Sequence, residues 1–218
     1  KKVAIVTGGA GGIGASCAQR LAQDGFRIGI VDIKSAEEVI QTITSAGGEA
    51  EAFTCDITQP AAVSQLVSDV EAKLGGCDVL INNAGRYDFT PTDHVSFADW
   101  RKIMDLNLDG MFLMTQGFIK NMRNKGWGRV ICMVSNSCFS PPPALTAYAG
   151  SKSAVIGYIR SLSGEVGTDG VTVNAVAPGP IITEQLRRSF YGDDENPDPD
   201  AFDNFMNEFT KTQSIPRL

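Results

Sequence analysis

The sequence predicts an α/β fold: a doubly wound parallel sheet with helices packed on both of its faces. Three observations carry the prediction. Short runs rich in Val, Ile and Ala alternate with longer stretches of helical periodicity. Those runs are continuously apolar rather than alternating, the pattern of strands buried on both sides. The first run also feeds directly into Gly8-Gly9-Ala10-Gly11-Gly12-Ile13-Gly14, and a helical stretch follows.

Taken in order, strands are expected at Val3–Thr7, Arg27–Asp32, 50–56, Val79–Asn82, 129–135 and 171–177. Helices are expected between them. The first, 14–24, follows the glycine turn, and the second, 36–46, stops at Gly47-Gly48 as a C-cap. The third, Pro60–Leu74, takes Thr58 as N-cap and Pro60 in its first turn. A long helix over 97–124 starts at the N-cap Ser96, with Gly110 and Gly117 available for close packing. The last, 148–166, follows Pro141-Pro142-Pro143. No internal repeat or linker divides the chain, so 1–218 reads as a single domain. After Pro178 the character changes. Segment 184–216 interleaves Asp193, Asp194, Glu195, Asp198, Asp200 and Asp203 with Phe190, Tyr191, Phe202, Phe205 and Phe209. The acids suit a solvated surface. The aromatics suit short helices that bury one face, and the sharper reading is a substrate-binding loop or lid.

Composition narrows the function. With 218 residues, 43% hydrophobic and 20% charged, the chain can bury a sizeable core. No run approaches the roughly 18 apolar residues of a membrane span, so no membrane partner is expected. A net charge of −6 argues against a nucleic-acid surface. Five cysteines without CxxC spacing point to reduced thiols and a cytoplasmic protein. No secretory leader is expected. The lone histidine, His94, leaves no basis for a His-centred triad or a multi-His site, and no metal is expected. The chain enters a strand at once from Lys1, without Met, so it is expected to be clipped at its front.

The chemistry sits at Tyr148 and Lys152. Residues four apart share a helical face. A nearby ammonium favours phenolate and should lower the phenol's pKa. Such a phenol can exchange a proton with an alcohol or carbonyl oxygen, and hydride, the other half of that redox reaction, needs a nicotinamide. Ser135 lies thirteen residues before Tyr148. Alone, Tyr148 and Lys152 would equally suit a helix-start aromatic and a solvated lysine; the constellation favours chemistry. Gly9, Gly11 and Gly14 match GxGxxG literally, with a strand before, a helix after, and Asp32 eighteen residues beyond Gly14. That context reads as a Rossmann dinucleotide site. Asp32 would accept ribose hydroxyls and repel a 2′-phosphate. No basic residue stands in the turn, although Lys34 is near, so NAD is expected over NADP.

Together these residues resemble the short-chain dehydrogenase/reductase family over nearly the whole chain. The resemblance shifts the relevant glycines to Gly8, Gly12 and Gly14, around Ile13. It implies that Asp32 and Ile33 flank the adenosine, that Asp56-Ile57 meets the adenine, and that Asn82-Asn83-Ala84-Gly85 supports the sheet beside it. It implies a catalytic set of Asn107, Ser135, Tyr148 and Lys152, the last two also holding the nicotinamide ribose. Pro178-Gly179-Pro180-Ile181-Ile182-Thr183 resembles the segment around the carboxamide. NADP-using relatives often carry a basic residue where Gly11 stands. Ser137 competes with Ser135, but Ser135 keeps the family spacing to Tyr148 and ends its strand. Relatives run on past a segment like Ile215-Pro216-Arg217-Leu218, so a final helix and strand are expected to be missing.

In this picture Tyr148 exchanges the proton, Ser135 donates to the substrate oxygen, and Asn107 holds a relay water through its backbone carbonyl. Tyr87, Phe89, Phe139, 141–143, Leu145, Leu186 and Phe190 would give the pocket an apolar lining. The expected substrate is therefore a hydrophobic secondary alcohol or ketone. An NADPH-dependent 3-oxoacyl-thioester reductase and a non-catalytic dinucleotide-binding protein are the alternatives. A homodimer or homotetramer is implied, with Tyr158, Ile159 and Leu162 as candidates for its face or for the core.

Overall fold

The computed structural model describes residues 1–184, 186–187 and 199–211. Two compact units divide the chain, 1–178 and 179–218. The first unit carries six parallel strands in the order β3-β2-β1-β4-β5-β6. They are β1 (Val3–Thr7), β2 (Arg27–Asp32), β3 (Glu49–Thr54), β4 (Val79–Asn82), β5 (Gly128–Met133) and β6 (Val171–Val176). The helices are α1 (Gly12–Gln23), α2 (Glu37–Ser45), α3 (Pro60–Leu74), α4 (Phe97–Met104), α5 (Met111–Lys125) and α6 (Thr146–Val166).

Two cores flank the sheet. Val3 and Ile5 face one side with Leu80, Val130, Val70 from α3, Phe118 from α5 and Val155 from α6. Ala4 and Val6 face the other, with Ile28, Ile30, Ala18 from α1, and Val39 and Ile43 from α2. Strand side chains alternate between faces. Apolar residues at both parities therefore mean burial on both sides, which is why these strands read as continuous runs. β6 differs: Thr172, Asn174, Ala175 and Val176 are exposed, and among the described residues it is an edge of the sheet.

Strand order reverses between β1 and β4. In such sheets the crevice beyond the carboxyl ends at that point is the usual ligand site. The segments at those ends are Thr7–Gly8, Asp32, Asn82–Gly85 and Met133–Ser135.

Most element boundaries fall within two residues of expectation. Gly47 and Gly48 end α2 by donating to Thr44 and Ile43 carbonyls, the paired bonds of a Schellman cap. Ser96 caps α4 by accepting from the Asp99 N–H. Thr58 does not cap α3. Its N–H and hydroxyl both turn to Asp56 Oδ1, at 3.0 and 2.7 Å, and Gln59 occupies the cap position. The single helix expected over 97–124 is broken: a π-helical segment, Asp105–Gly110, separates α4 from α5. Gly110 and Gly117 do serve close packing. A Cβ would meet Ile57 Cγ1 at 2.9 Å and Val67 Cγ2 at 2.7 Å, respectively.

In the second unit α7 (Pro199–Lys211) is described, and the Arg187 guanidinium lies 5.3 Å over the Phe202 ring. Phe190, Tyr191 and the acids at 193–198 lie outside the described residues, as do 212–218.

Candidate active site

The glycine turn is shaped by interlocking close approaches. Gly8 has φ +63°, a region costly for other residues, and its N–H donates to Val31 O at 2.8 Å. At Gly14 an added Cβ would lie 2.2 Å from Gly8 O and 2.6 Å from Asn83 Nδ2. Asn83 Nδ2 donates to the carbonyls of Thr7 and Gly8 at 2.9 and 3.1 Å, stitching the turn to the end of β4. Thr7 Oγ1 accepts from both Asn83 and Ala84 N–H groups at 3.0 Å and donates to Ile81 O.

The chemistry of this turn suits the dinucleotide that the sequence implies. No described side chain caps α1 at Gly11, and a Cβ there would meet open space. The first amides of α1 are thus unpaired donors at a positive helix end, the chemistry a pyrophosphate requires. Ile13 is half-buried on the first turn. Asp32 ends β2 with both carboxylate oxygens engaged: Oδ2 accepts from Ala10 N at 3.1 Å and Oδ1 from Lys34 N at 3.0 Å. It clamps the glycine turn to the β2–α2 loop. Ile33 beside it is 68% exposed. A cavity of about 250 Å³ opens there among Ile30, Asp32, Lys34 and Ser35, walled by Ala52, Phe53 and Thr54. Of the expected adenine pair, Asp56 is exposed, but the Ile57 side chain is buried against Gly110. Pro178 O accepts from Asn136 N at 3.0 Å. Gly179, Ile181 and Thr183 belong to the second unit, where Thr183 accepts from the Leu186 and Arg187 amides.

The catalytic candidates converge from three segments. Ser135 follows β5, and its oxygen accepts from Ser137 N at 3.1 Å and Ser137 Oγ at 2.9 Å. Burial pushes the Tyr148 phenol above its ordinary range, and a hydrogen bond with Ser135 works against that rise. Tyr87 meets Tyr148 edge-on at 5.6 Å between ring centres, and Phe89 meets Tyr87 at 5.8 Å.

Lys152 is 4% exposed, and burial lowers its pKa to about 8. Its Nζ donates to Met133 O at 2.7 Å and stands 5.9 Å from the Tyr148 ring centre. The expectation that Lys152 pulls the phenol down is not met in this arrangement. The ammonium is turned toward the β5 carbonyl and is itself destabilised by burial, so desolvation decides the direction at Tyr148. A Cβ at Gly85 would stand 3.1 Å from Asn107 Oδ1 and 3.3 Å from Lys152 Nζ, so Gly85 leaves room for both.

Asn107 sits in the π-helical segment. An extra residue in one turn rotates the side chains that follow, and such turns recur at functional sites. Here Asn107 is 1% exposed and fully hydrogen-bonded: Oδ1 accepts from Arg86 N at 2.9 Å, while Nδ2 donates to Arg86 O and to Ser151 Oγ. Ser151 escaped the sequence reading, although its place three residues after Tyr148 puts it near that residue on α6.

A cavity of about 340 Å³ lies among Asp88, Thr90, Val95, Asp99, Ile103, Ala144 and Ala147, next in the chain to Tyr87 and Tyr148. Ile159 and Leu162 are core residues, whereas Tyr158 packs edge-on against Phe112, which is 40% exposed. Among the described residues no group of three or more His, Cys, Asp or Glu could hold a metal, and no helix is long and apolar enough to cross a membrane.

Residues 2–193 match the family model described as short chain dehydrogenase. D-Threitol dehydrogenase of Mycolicibacterium smegmatis is 35% identical over 88% of this chain and 74% of its own length. The 3-oxoacyl-[acyl-carrier-protein] reductase of Synechocystis is 37% identical over 84% of this chain and 75% of its own. A Beutenbergia cavernae protein with NADP bound at low occupancy, a candidate NAD(P)-dependent gluconate 5-dehydrogenase, superposes with a TM-score of 0.88. It is 31% identical, with 99% of this chain and 83% of that one covered. An NAD⁺-bound xylitol dehydrogenase superposes at 0.80 with 28% identity, covering 98% and 77%. The glycine turn, the parallel sheet and these relatives agree: the chain belongs to the short-chain dehydrogenase family of NAD(P)-dependent oxidoreductases acting on CH–OH groups.

Proposed function

We propose that this protein interconverts a secondary alcohol and its ketone with NAD(H), using Tyr148 as the acid and base. The observation that carries the reading is the half-buried phenol of Tyr148 set beside Ser135, with the Lys152 ammonium 5.9 Å from its ring centre. The nicotinamide, when bound, supplies the carbon that takes or gives hydride. In oxidation Tyr148 accepts the alcohol proton, and in reduction it returns one to the nascent alkoxide. Ser135 donates to the reacting oxygen and offsets its developing charge. Lys152 holds the nicotinamide ribose beside Gly85 and returns the proton to Tyr148, and Asn107 orders the approach to Lys152.

NAD is favoured over NADP because Asp32 would face a 2′-phosphate with like charge, and no basic residue stands in the turn. The contact residues proposed for the cofactor are Gly8, Gly12, Ile13, Gly14, Asp32, Ile33, Asp56, Asn83, Ala84 and Gly85, with Pro178 at the nicotinamide end. Tyr87 and Phe89 beside Tyr148 favour a hydrophobic substrate. A second reading, a polyol, is supported by the cavity bordered by Asp88, Thr90 and Asp99 and by the threitol and xylitol dehydrogenases among the relatives. We further propose a cytoplasmic homodimer or homotetramer joined through the Phe112–Tyr158 side of α5 and α6, and a substrate-binding role for 184–216.

The test is turnover of 1-phenylethanol, D-threitol and a 3-hydroxyacyl thioester with NAD⁺ and NADP⁺, in the wild type and in Tyr148→Phe. Turnover should fall by about two to four orders of magnitude in the variant, the range of acid–base catalysis, with NADH affinity kept. Undiminished turnover in Tyr148→Phe refutes the role of Tyr148. NADP⁺ use restricted to the thioester would replace the reading with a 3-oxoacyl reductase.

A further inference from the structure

Ser151 lies between Tyr148 and Lys152 in sequence and is wholly buried, at 0% exposure. Its Oγ donates to the Tyr148 carbonyl at 2.7 Å and accepts from Asn107 Nδ2 at 3.0 Å. Asn107 closes a ring of two bonds with the Arg86 backbone, each 2.9 Å. A backbone N–H can only donate, so the Asn107 atom facing Arg86 N is the amide oxygen. That fixes the orientation of the amide and aims its nitrogen at Arg86 O and Ser151. One donor path thus runs from Arg86 N through Asn107 and Ser151 to the Tyr148 carbonyl, with Asn107 also donating back to Arg86 O. The loop after β4, the π-helical segment and the first turns of α6 meet in this chain.

A serine bonded back to the carbonyl three residues earlier is common in helices. The bond from Asn107 is different: it spans 44 positions and is buried. The back-bond uses the one proton of Ser151 and leaves its lone pairs facing Asn107.

We propose that Ser151 is a positioning residue, holding the first turn of α6 against Asn107 so that the Tyr148 phenol stays at the reacting centre. This rests on Tyr148 being the acid and base. Ser151→Ala keeps the shape of the site while removing the acceptor for Asn107 and the extra donor to Tyr148 O. A small displacement of a reacting group lowers rate more than binding.

The experiment compares full-length wild type, Ser151→Ala, Asn107→Ala, the double variant and Tyr148→Phe. The probe is oxidation by NAD⁺ of 1-phenylethanol or D-threitol, whichever turns over faster, with NADH affinity followed by fluorescence. Ser151→Ala should lower kcat about tenfold or more with NADH affinity unchanged. The double variant should be no slower than the slower single variant, because both act through one bond. Wild-type kcat with only a lower melting temperature would show a merely structural serine and overturn the proposal. So would rate losses that multiply in the double variant, or loss of NADH binding alongside kcat. If instead Tyr148→Phe keeps full turnover, the acid–base reading itself has failed, whatever Ser151 does.

Discussion

Replacing Lys152 by methionine should remove a contribution to stability that rises with pH between about pH 8 and 10.5. Burial lowers the folded-state pKa of Lys152 from its ordinary 10.5 to about 8. Between those values the unfolded chain binds more protons than the folded one, so stability increases with pH there. Below about pH 8 the cost of holding a buried ammonium is complete, and the gap corresponds to about 3 kcal/mol. Titrating that one group from about pH 7 to about pH 9.5 recovers about 2 kcal/mol of it. Other groups move the opposite way. Burial pushes Cys132 up to about 11 and also raises Cys77 and Tyr148, so the folded chain keeps protons that the unfolded chain loses. Cys77 and Tyr148 contribute alike to wild type and variant and cancel in the comparison; losing the Lys152 charge lets Cys132 rise further in the variant, which widens the expected difference in the same direction. The assay is equilibrium urea unfolding at the two pH values without cofactor. The wild type should gain about 2 kcal/mol more than Lys152→Met. Parallel stability profiles would refute the reasoning, because they would mean that Lys152 keeps an ordinary pKa in the folded chain.

Two further outcomes are expected. Gly14→Ala places a Cβ 2.2 Å from Gly8 O, a backbone atom that cannot swing aside. Overpacking of about 1–3 kcal/mol falls on the turn proposed to hold the pyrophosphate. NADH affinity, read by fluorescence titration, should drop about tenfold or more, and wild-type affinity would show that the turn relaxes freely. Asp32→Ala removes the acceptor for Ala10 and Lys34 and the charge proposed to face the ribose. The ratio of NADH to NADPH affinity should fall by on the order of tenfold, and an unchanged ratio would remove Asp32 from cofactor choice.

Much of the fold was legible because its signals are local. Val3–Thr7, Arg27–Asp32 and Val79–Asn82 are strands to the residue, since each is an apolar run bounded by turn residues or charge. Ser96 was readable as a cap because its acceptor serves an amide three residues on. Thr58 was misread because a competing acceptor, Asp56 Oδ1, captures both of its donors. The break at Asp105–Gly110 left no mark, because an inserted residue in one helical turn changes no hydrophobic pattern strongly enough to see. Ser135 was preferred to Ser137 from spacing, while the contact between the two serines, Ser137 Oγ donating to Ser135 Oγ at 2.9 Å, left no mark in the sequence.

The sequence by itself determined the alternation of strands and helices and the glycine turn, and it nominated Tyr148, Lys152, Ser135 and Asp32 as candidates. These depend on neighbours within a few positions, where periodicity and steric limits act directly. Only the tertiary structure decided what surrounds them. It turned Lys152 toward Met133 O, closed both oxygens of Asp32 on backbone amides, and brought Asn107 to Ser151 across 44 positions. The direction in which the Tyr148 and Lys152 pKa values move follows from that burial. Desolvation and hydrogen-bond partners belong to atoms near in space and far in the chain, and no local pattern encodes them.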